Sequence, residues 1–120
     1  MNDDTTDVRF QEGIGQFNRG QFFEAHETWE EIWLAAQEPE RTFLQGIIQV
    51  AAAIHHYQRG NRTGAQSLLE AGLKKLDPFQ PVYRGIQLDL LCASVKEWMR
   101  DLSEGRSPQL AQCPQIHAAK

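Results

Sequence analysis

The sequence predicts an all-α protein of about five helices, packed as antiparallel hairpins in a small, loosely tetratricopeptide-like bundle. Three observations indicate this fold class. Apolar residues recur at helical spacings from Phe10 to Leu102. No segment shows the sustained apolar–polar alternation that is typical of a half-buried strand. Glycines and prolines interrupt the periodic segments at intervals that suit connections between helices.

Glycine and proline delimit the first three predicted helices. The first helix ends before Gly20, because glycine readily adopts the left-handed conformation that closes a helix. The second helix covers about residues 21–36. The third begins near Pro39, since proline suits the first turn of a helix, and it ends at Gly60.

An irregular connection separates the fourth and fifth predicted helices. Asn61 is a favourable cap for the fourth helix, which Asp77 and Pro78 end. Residues 78–87 read PFQPVYRGIQ, and their two prolines and one glycine predict an irregular loop. The fifth helix then covers about residues 88–103, with an apolar stripe along one side.

Two of the predicted helix turns have similar sequences. Residues 17–25 read FNRGQFFEA and residues 57–65 read YQRGNRTGA, so both contain an aromatic residue followed by Arg-Gly and a later alanine. In each turn the glycine ends one helix, and the small alanine lets the next helix pack closely. The similarity favours hairpins stacked side by side, although helix–glycine–helix corners also arise independently.

The length and the composition predict one domain with a short tail. A chain of 120 residues, 41% of them hydrophobic, can bury a single core. We assign residues 1–103 to one helical domain. The stretch after Gly105 is polar and has no helical period, so we expect residues 104–120 to form a loosely ordered tail.

Charge and hydropathy narrow the classes of partner. The net charge is −4, and the only basic cluster is Lys74-Lys75, whereas nucleic-acid binding needs a face rich in lysine and arginine. No apolar run approaches the roughly 20 residues that cross a bilayer. We therefore expect neither nucleic acid nor membrane as a partner. A small chain with tryptophans on two helices also makes a homodimer plausible.

Localisation follows from the N-terminus and the cysteines. The chain begins MNDDTTD, which is not a signal peptide. Cys92 lies in an apolar run and Cys113 in a polar stretch, and two cysteines in such different settings predict free thiols instead of a disulfide framework. We expect a cytoplasmic protein.

The candidate site lies in the second helix, where residues 24–34 read EAHETWEEIWL. A helical wheel places its apolar residues on one arc and separates the acidic residues from one another. His26 and Glu30 fall inside the apolar arc, beside Trp29 and Trp33. The remaining glutamates fall outside it: Glu24 and Glu31 lie opposite, and Glu27 lies on the border. The wheel thus predicts one His–Glu pair on the apolar face.

Such a pair would need polar partners on a neighbouring helix, because an unpaired buried charge costs several kcal/mol. The third helix is apolar nearly all round, with one polar stripe flanked by glycine and alanine: Thr42, Gln45, Gln49 and His56. We predict that this stripe faces His26 and Glu30 and forms a polar pocket between the second and third helices. The alternative is that the stripe is the solvent side of the helix.

Several motifs together resemble a known family. They are His26-x-x-x-Glu30-x-x-Trp33, LQGIIQ at residues 44–49, HHYQRGN at residues 55–61 and YRGI at residues 83–86. The combination is similar to the bacterial and archaeal family named domain of unknown function three hundred and nine. The resemblance covers about residues 10–102 and implies a small, all-helical, uncharacterised protein. It also implies a suggested metal-binding role for His26 and Glu30.

A divalent metal ion would require more ligands than this pair, since a stable site normally has three or four. Glu27 and His56 are the candidates for the additional ligands, and Gln45 and Gln49 would serve as hydrogen-bond partners around them. The helix is not the H-E-x-x-H site of metallopeptidases, because Glu30 occupies the position of the second histidine.

Three functions are compatible with these residues. The pocket could bind a metal or a small ligand, or it could be catalytic, with Glu30 as acid or base and His26 as its partner. In the alternative the protein is a non-enzymatic helical interaction module in which the His–Glu pair has a structural role. The sequence identifies no reaction, no substrate and no certain cofactor, and it leaves open whether the protein is an enzyme.

Overall fold

The helical periodicity of the sequence is realised in five α-helices. A computed structural model of the protein describes residues 3–119, with side chains described from residue 6 onward. The helices are α1 (Asp3–Asn18), α2 (Phe22–Trp33), α3 (Glu40–Gln58), α4 (Arg62–Leu76) and α5 (Leu88–Ser103). Short 3-10 turns cover Asp77–Phe79 and Leu110–Gln112, and a two-stranded hairpin consists of β1 (Val82–Tyr83) and β2 (Ile86–Gln87). The predicted all-α fold of five helices is confirmed.

Consecutive helices pack against each other, and α3 contacts both α2 and α4. The central position of α3 explains why its sequence is apolar nearly all round. Two glycines bring α3 and α4 unusually close. A Cβ atom added to Gly72 would lie 2.9 Å from the carbonyl oxygen of Gly46, so a side chain at this crossing would collide with backbone.

The two turns of similar sequence have the same backbone structure. Gly20 and Gly60 have φ angles of 83° and 84°, in the left-handed region that favours glycine. Gly20 N donates to Phe17 O at 3.0 Å, and Gly60 N donates to Tyr57 O at 3.0 Å. Each helix therefore ends in the same left-handed closing turn, which confirms the similarity of the two hairpins.

Helix α1 is fixed to α2 through Trp29. This side chain is fully buried, and its Nε1 atom donates a hydrogen bond of 3.1 Å to Phe10 O. Gly13 makes room for the indole, because a Cβ atom at this position would lie 2.1 Å from Nε1. The rings of Phe10 and Phe17 pack against the same indole. One tryptophan thus joins the two helices of the first hairpin.

The connection that we predicted as irregular contains the β1–β2 hairpin. Its turn residues Arg84 and Gly85 both have positive φ, at 51° and 76°, which is the geometry of a two-residue hairpin turn. Arg84 pairs with Glu40 and with Asp7, and its guanidinium lies 4.4 Å from the centre of the Phe10 ring. These tertiary contacts stabilise a backbone conformation that arginine rarely adopts by itself. Strands of two residues are also too short to show a hydrophobic period, so the sequence did not predict them.

The C-terminal segment packs against the helices, which differs from the loosely ordered tail that its composition predicts. Asn18 forms two hydrogen bonds with the backbone of Ile116, and the Ile116 side chain is buried. Tyr57 Oη donates to Pro108 O at 2.6 Å, and Gln87 N donates to His117 O at 2.8 Å. The segment is held mainly through its backbone, a kind of contact that leaves no periodic pattern in a sequence.

None of the helices in the described part of the chain is long and apolar enough to span a bilayer.

Candidate functional site

The candidate site is a surface that α2 and α3 form together, which we call the α2–α3 face. Antiparallel packing of the two helices sets its register. The rings of Phe23 and His55 lie 5.1 Å apart at one end, and the guanidinium of Arg41 lies 4.0 Å from the Trp33 ring at the other. The side chains that form this face are Phe23, His26, Glu30 and Trp33 of α2, and Gln45, Ile48 and His55 of α3.

Arg41 positions the Trp33 end of the face. Its Nη1 atom donates hydrogen bonds to Trp33 O at 3.1 Å and to Ala36 O at 3.3 Å. Trp33 is the last residue of α2 and Ala36 lies just beyond it, where backbone acceptors have no partners within the helix. Arg41 therefore both closes α2 and stacks on the indole of its last residue.

The His26–Glu30 pair lies at the edge of α2 and not in its buried face. His26 Nε2 is 3.9 Å from Glu30 Oε2, and the two side chains are 26% and 50% exposed. The buried positions of α2 are Phe22, Ala25, Thr28 and Trp29. The wheel prediction that Glu30 lies on the apolar face is therefore wrong.

The physical reason is the width of the surface that α2 buries. Helix α2 packs against α1 and α3. The residues that it buries recur at spacings of three and four along the helix, beginning at Phe22. His26 and Glu30 each follow a buried residue by one position, which rotates them about 100° away from it. Because the wheel has no information on how far a neighbouring helix reaches, it assigned too wide an arc to the core.

Gln45 is the member of the predicted polar stripe that lies beside the pair. Glu30 and Trp33 from α2, with Gln45 and Ile48 from α3, line a depression of about 40 Å³. The predicted proximity between the α2 motif and α3 is thus present at Glu30 and Gln45. The depression is about the size of one water molecule, whose share of liquid volume is about 30 Å³.

Three buried polar atoms on the two helices of the face have no hydrogen-bond partner among the described residues. They are His26 Nδ1, Trp33 Nε1 and Gln49 Oε1. A fourth such atom, Gln16 Oε1, belongs to α1. The packing of this chain thus leaves polar groups on the α2–α3 face unsatisfied. Each such buried atom costs about 1 to 3 kcal/mol.

The other two predicted metal ligands do not join His26 and Glu30. His56 lies in the last turn of α3, where its Nδ1 atom is 3.1 Å from Asn61 Nδ2, and Glu27 is exposed. Within residues 3–119, no three His, Cys, Asp or Glu side chains come together in a group that could bind a metal. His26 and Glu30 could supply two ligands, which is fewer than a stable site normally uses.

Sequence reasoning missed two aromatic members of the face. The ring of Phe23 is 5.9 Å from that of His26 and 5.1 Å from that of His55, although 43% of Phe23 remains exposed. Phe23 lies one turn before His26 on the same edge of α2. Only the register between α2 and α3 shows that its ring also reaches His55. His55, and not the predicted His56, is the histidine of α3 that joins the face.

The cysteines are poor candidates for nucleophilic chemistry. Cys92 is buried and Cys113 half-buried, and both are free thiols. Burial raises the pKa of Cys92 to about 11 and that of Cys113 to about 11. At neutral pH both side chains are therefore present as the thiol, which is the unreactive form.

The family and the relatives that match this chain are described as uncharacterised. Residues 10–68 match the family model described as Domain of unknown function (DUF309). The chain is 30% identical over 95 residues to an uncharacterised protein of Aquifex aeolicus (strain VF5), which covers 78% of this chain and 28% of the relative. It is 32% identical over 69 residues to the uncharacterised protein YpuF of Bacillus subtilis (strain 168), which covers 57% of this chain and 40% of the relative.

The chain thus spans less than half the length of either relative. The range that matches the family contains the whole of the α2–α3 face. The β1–β2 hairpin and α5 lie outside that range.

Proposed function

Because this chain belongs to the family described as Domain of unknown function (DUF309), and the relatives compared above are uncharacterised, we propose its function from the site itself. The protein is a non-enzymatic binding module, and the α2–α3 face binds a segment of another protein. The observation that carries this proposal is that the His26–Glu30 pair and the aromatic rings beside it lie on the surface.

The chemistry of the face supports a protein partner. Phe23, Trp33 and the two histidines provide flat, partly exposed rings, and Glu30 and Gln45 provide polar groups between them. Interfaces between proteins are enriched in side chains that combine an apolar ring with a polar edge, because such side chains gain from burial and still form hydrogen bonds. A partner backbone or side chain could supply hydrogen bonds to this row.

The size of the depression argues against an enclosed small molecule at this face. Its volume is about 40 Å³, whereas sites for small ligands usually have volumes of about 300 to 1,000 Å³. The exposure of Glu30 also weighs against a catalytic role, since acids and bases in enzymes are usually tuned by burial. A shallow, partly polar surface is better suited to an extended contact.

The partner is a different protein, because a second copy would oppose this surface with the same charge. Helix α2 exposes four carboxylates, of which Glu30 belongs to the face itself, and two copies joined through this face would place two Glu30 carboxylates in one interface. The four residues are Glu24, Glu27, Glu30 and Glu31. Like charges at an interface are unfavourable. A homodimer would therefore use another surface.

A metal site is the second candidate, and one distance favours it. His26 Nε2 and Glu30 Oε2 lie 3.9 Å apart on adjacent turns, so they could bind one divalent ion together. A bound partner would then supply the further ligands.

We place the protein in the cytoplasm, since both cysteines are free and a reducing compartment preserves thiols.

The proposal is tested by photo-crosslinking in the native host. A photoreactive phenylalanine analogue replaces Gln45 in one variant and the exposed residue Glu97 of α5 in a control variant. Crosslinked proteins are identified by mass spectrometry, purified and titrated against the wild-type chain and Glu30→Lys. We expect one protein to crosslink from position 45 and not from position 97, and Glu30→Lys to weaken its binding.

Two results would overturn the proposal. The first is a set of crosslinks from position 45 that is the same as the set from position 97, because it would mean that the face has no specific partner. The second is a stoichiometric metal in protein purified without chelators or metal affinity resins, if His26→Ala removes that metal. The second result would show that the pair binds a metal without a protein partner, and it would establish the metal site as the function of the face.

A further inference from the structure

A second binding feature lies at the end of the bundle where the two Arg-Gly turns meet the C-terminal segment. It comprises three clefts of about 630, 490 and 220 Å³. Gln58 lines all three clefts. The two smaller clefts share Gly20, and the largest and smallest share Leu110. The clefts are therefore parts of one continuous depression, which we call the turn-end groove.

The turn-end groove is basic in a protein whose net charge is −4. The charged residues that line it are three arginines and one glutamate: Arg19, Arg59, Arg62 and Glu24. His55 also lines the groove, and its ring nitrogens can form hydrogen bonds with a ligand. Clefts lined by one sign of charge attract ligands of the opposite sign, so the groove favours an anion.

Two of the three arginines are free to bind. Arg62 is occupied, because its guanidinium donates to Leu102 O, Arg106 O and Ser107 Oγ. Arg19 and Arg59 are exposed, and neither forms an ion pair or a side-chain hydrogen bond with the described residues. Each precedes the positive-φ glycine of its turn, so the two similar turns present their guanidinium groups from equivalent backbone positions.

The groove also offers apolar and neutral polar contacts. Phe23 is 43% exposed at one end and Leu110 is 49% exposed on the C-terminal segment. Amide and hydroxyl groups of Gln58, Gln109 and Ser107 lie along the wall and can form hydrogen bonds with a peptide backbone. Arginine pairs with carboxylates through two parallel N–H···O bonds, which gives geometric selectivity for acidic side chains.

We propose that the turn-end groove binds an extended acidic polypeptide segment, whose carboxylates pair with Arg19 and Arg59 and whose apolar side chains contact Phe23 and Leu110. The charge complementarity between the free arginines and acidic side chains selects this occupant. Nucleic acid is a poorer match, because two free cations with a glutamate beside them neutralise few phosphates. The groove meets the α2–α3 face at Phe23 and His55, but its free cations lie outside that face, so the two proposals can fail separately.

The test uses a fluorescein-labelled peptide of roughly ten residues, made of Asp, Glu and Gly with one Phe, which is long enough to follow the groove in an extended conformation. Binding to the whole protein is measured by fluorescence anisotropy at moderate salt, where exposed charges more than about 10 Å apart are largely screened from one another. We expect saturable binding, and we expect Arg19→Glu combined with Arg59→Glu to raise Kd at least about tenfold. The milder pair Arg19→Gln and Arg59→Gln repeats the measurement without added negative charge.

The matched control changes the same amount of charge elsewhere. Lys74→Glu combined with Arg100→Glu alters exposed positions of α4 and α5 and should leave Kd within about twofold of wild type at moderate salt. Circular dichroism verifies that each variant is folded. Amide chemical-shift changes at Gly20 and Gly60 on titration would locate the peptide in the groove.

Each remaining outcome would overturn the proposal. Failure of the acidic peptide to bind at millimolar concentration would show that the groove is not a site for it. An equal loss of affinity in the control pair would show that only net charge matters. Tighter binding of a single-stranded RNA of equal length would replace the acidic peptide by nucleic acid as the occupant. None of these results depends on the crosslinks from position 45.

Discussion

His26 Nε2 lies 3.9 Å from Glu30 Oε2 across one turn of α2, and half of the Glu30 side chain is exposed to solvent. An exposed pair at this spacing stabilises a helix by only about 0.3 to 0.5 kcal/mol. The core of the bundle is therefore built without this pair. Its position on the surface supports the binding role that we propose for the motif.

Glu30→Gln should leave the free energy of unfolding within about 0.5 kcal/mol of wild type, because it removes only an exposed ion pair. Urea denaturation followed by circular dichroism measures the change. Trp29→Ala is the contrasting variant, since it removes a fully buried ring and its hydrogen bond to Phe10 and should cost about 3 to 5 kcal/mol. A loss above about 1.5 kcal/mol for Glu30→Gln would show that the pair contributes to the core.

Gly72→Ala should destabilise the protein, although alanine favours a helix by about 1 kcal/mol over glycine. The new Cβ atom would lie 2.9 Å from Gly46 O, and moving a backbone atom at the α3–α4 crossing should cost about 1 to 3 kcal/mol. Gly46→Ala is the matched variant. Its Cβ atom would lie 2.8 Å from the Leu76 side chain and 3.3 Å from Gly72 O, so the closest collision is with a side chain and not with backbone, and its loss should be smaller. Equal thermal denaturation midpoints for the two variants would contradict this explanation.

Gln21→Asn should stabilise the protein by about 1 kcal/mol, because asparagine can cap a helix and glutamine at this position does not. Asn61 provides the template. Its Oδ1 atom accepts from Gly64 N at 2.9 Å, and its backbone angles of −94° and 80° are close to the −91° and 70° of Gln21. Asn61→Ala should lower stability by about 1 kcal/mol. Thermal denaturation measures both changes, and an unchanged midpoint in both variants would contradict the role of capping.

The cysteines should react slowly with a disulfide reagent in the folded protein. Because burial raises the pKa of both thiols to about 11, only about one thiol in a thousand is ionised at pH 8. Reaction in denaturant should be far faster, and Cys92→Ser and Cys113→Ser assign the two phases. Fast labelling of either cysteine under native conditions would mean that its site opens readily.

The same shifts predict how stability changes in alkali. The thiols hold their protons more tightly in the folded state than in the unfolded state, where the pKa is near 9.0. Their contribution is fully present below pH 9 and is lost as the pH rises toward 11. The Cys92→Ser variant should lose less stability than wild type over that interval, as measured by urea denaturation at each pH.

The helices were predictable because their signals are local. Asn61 caps α4 as predicted, and α5 covers Leu88–Ser103, the range expected from its apolar stripe. The β1–β2 hairpin was missed because Arg84, which has positive φ, is held by Glu40, Asp7 and the Phe10 ring, and these are distant in sequence. Local propensity cannot include such contacts.

The candidate site was predicted in part. The helical wheel correctly predicted that Glu24 and Glu31 are exposed, and it identified the helix that carries the candidate site. It placed Glu30 in the core and chose His56 in place of His55, because both assignments depend on how α2 and α3 are positioned against each other. The docking of residues 106–119 was missed for the same reason, since their backbone contacts residues of α1 and α3.

The sequence by itself determined the five helices, the glycine turns that close α1 and α3, and the motif on α2, because helix periodicity, glycine turns and caps depend on neighbours within a few residues. The tertiary structure decided which side of that motif is exposed, that His55 and Phe23 join it, and that Arg19 and Arg59 converge on one groove. Those relationships depend on the register and separation of helices that are distant along the chain. Packing of whole helices sets such quantities, and no local pattern encodes them.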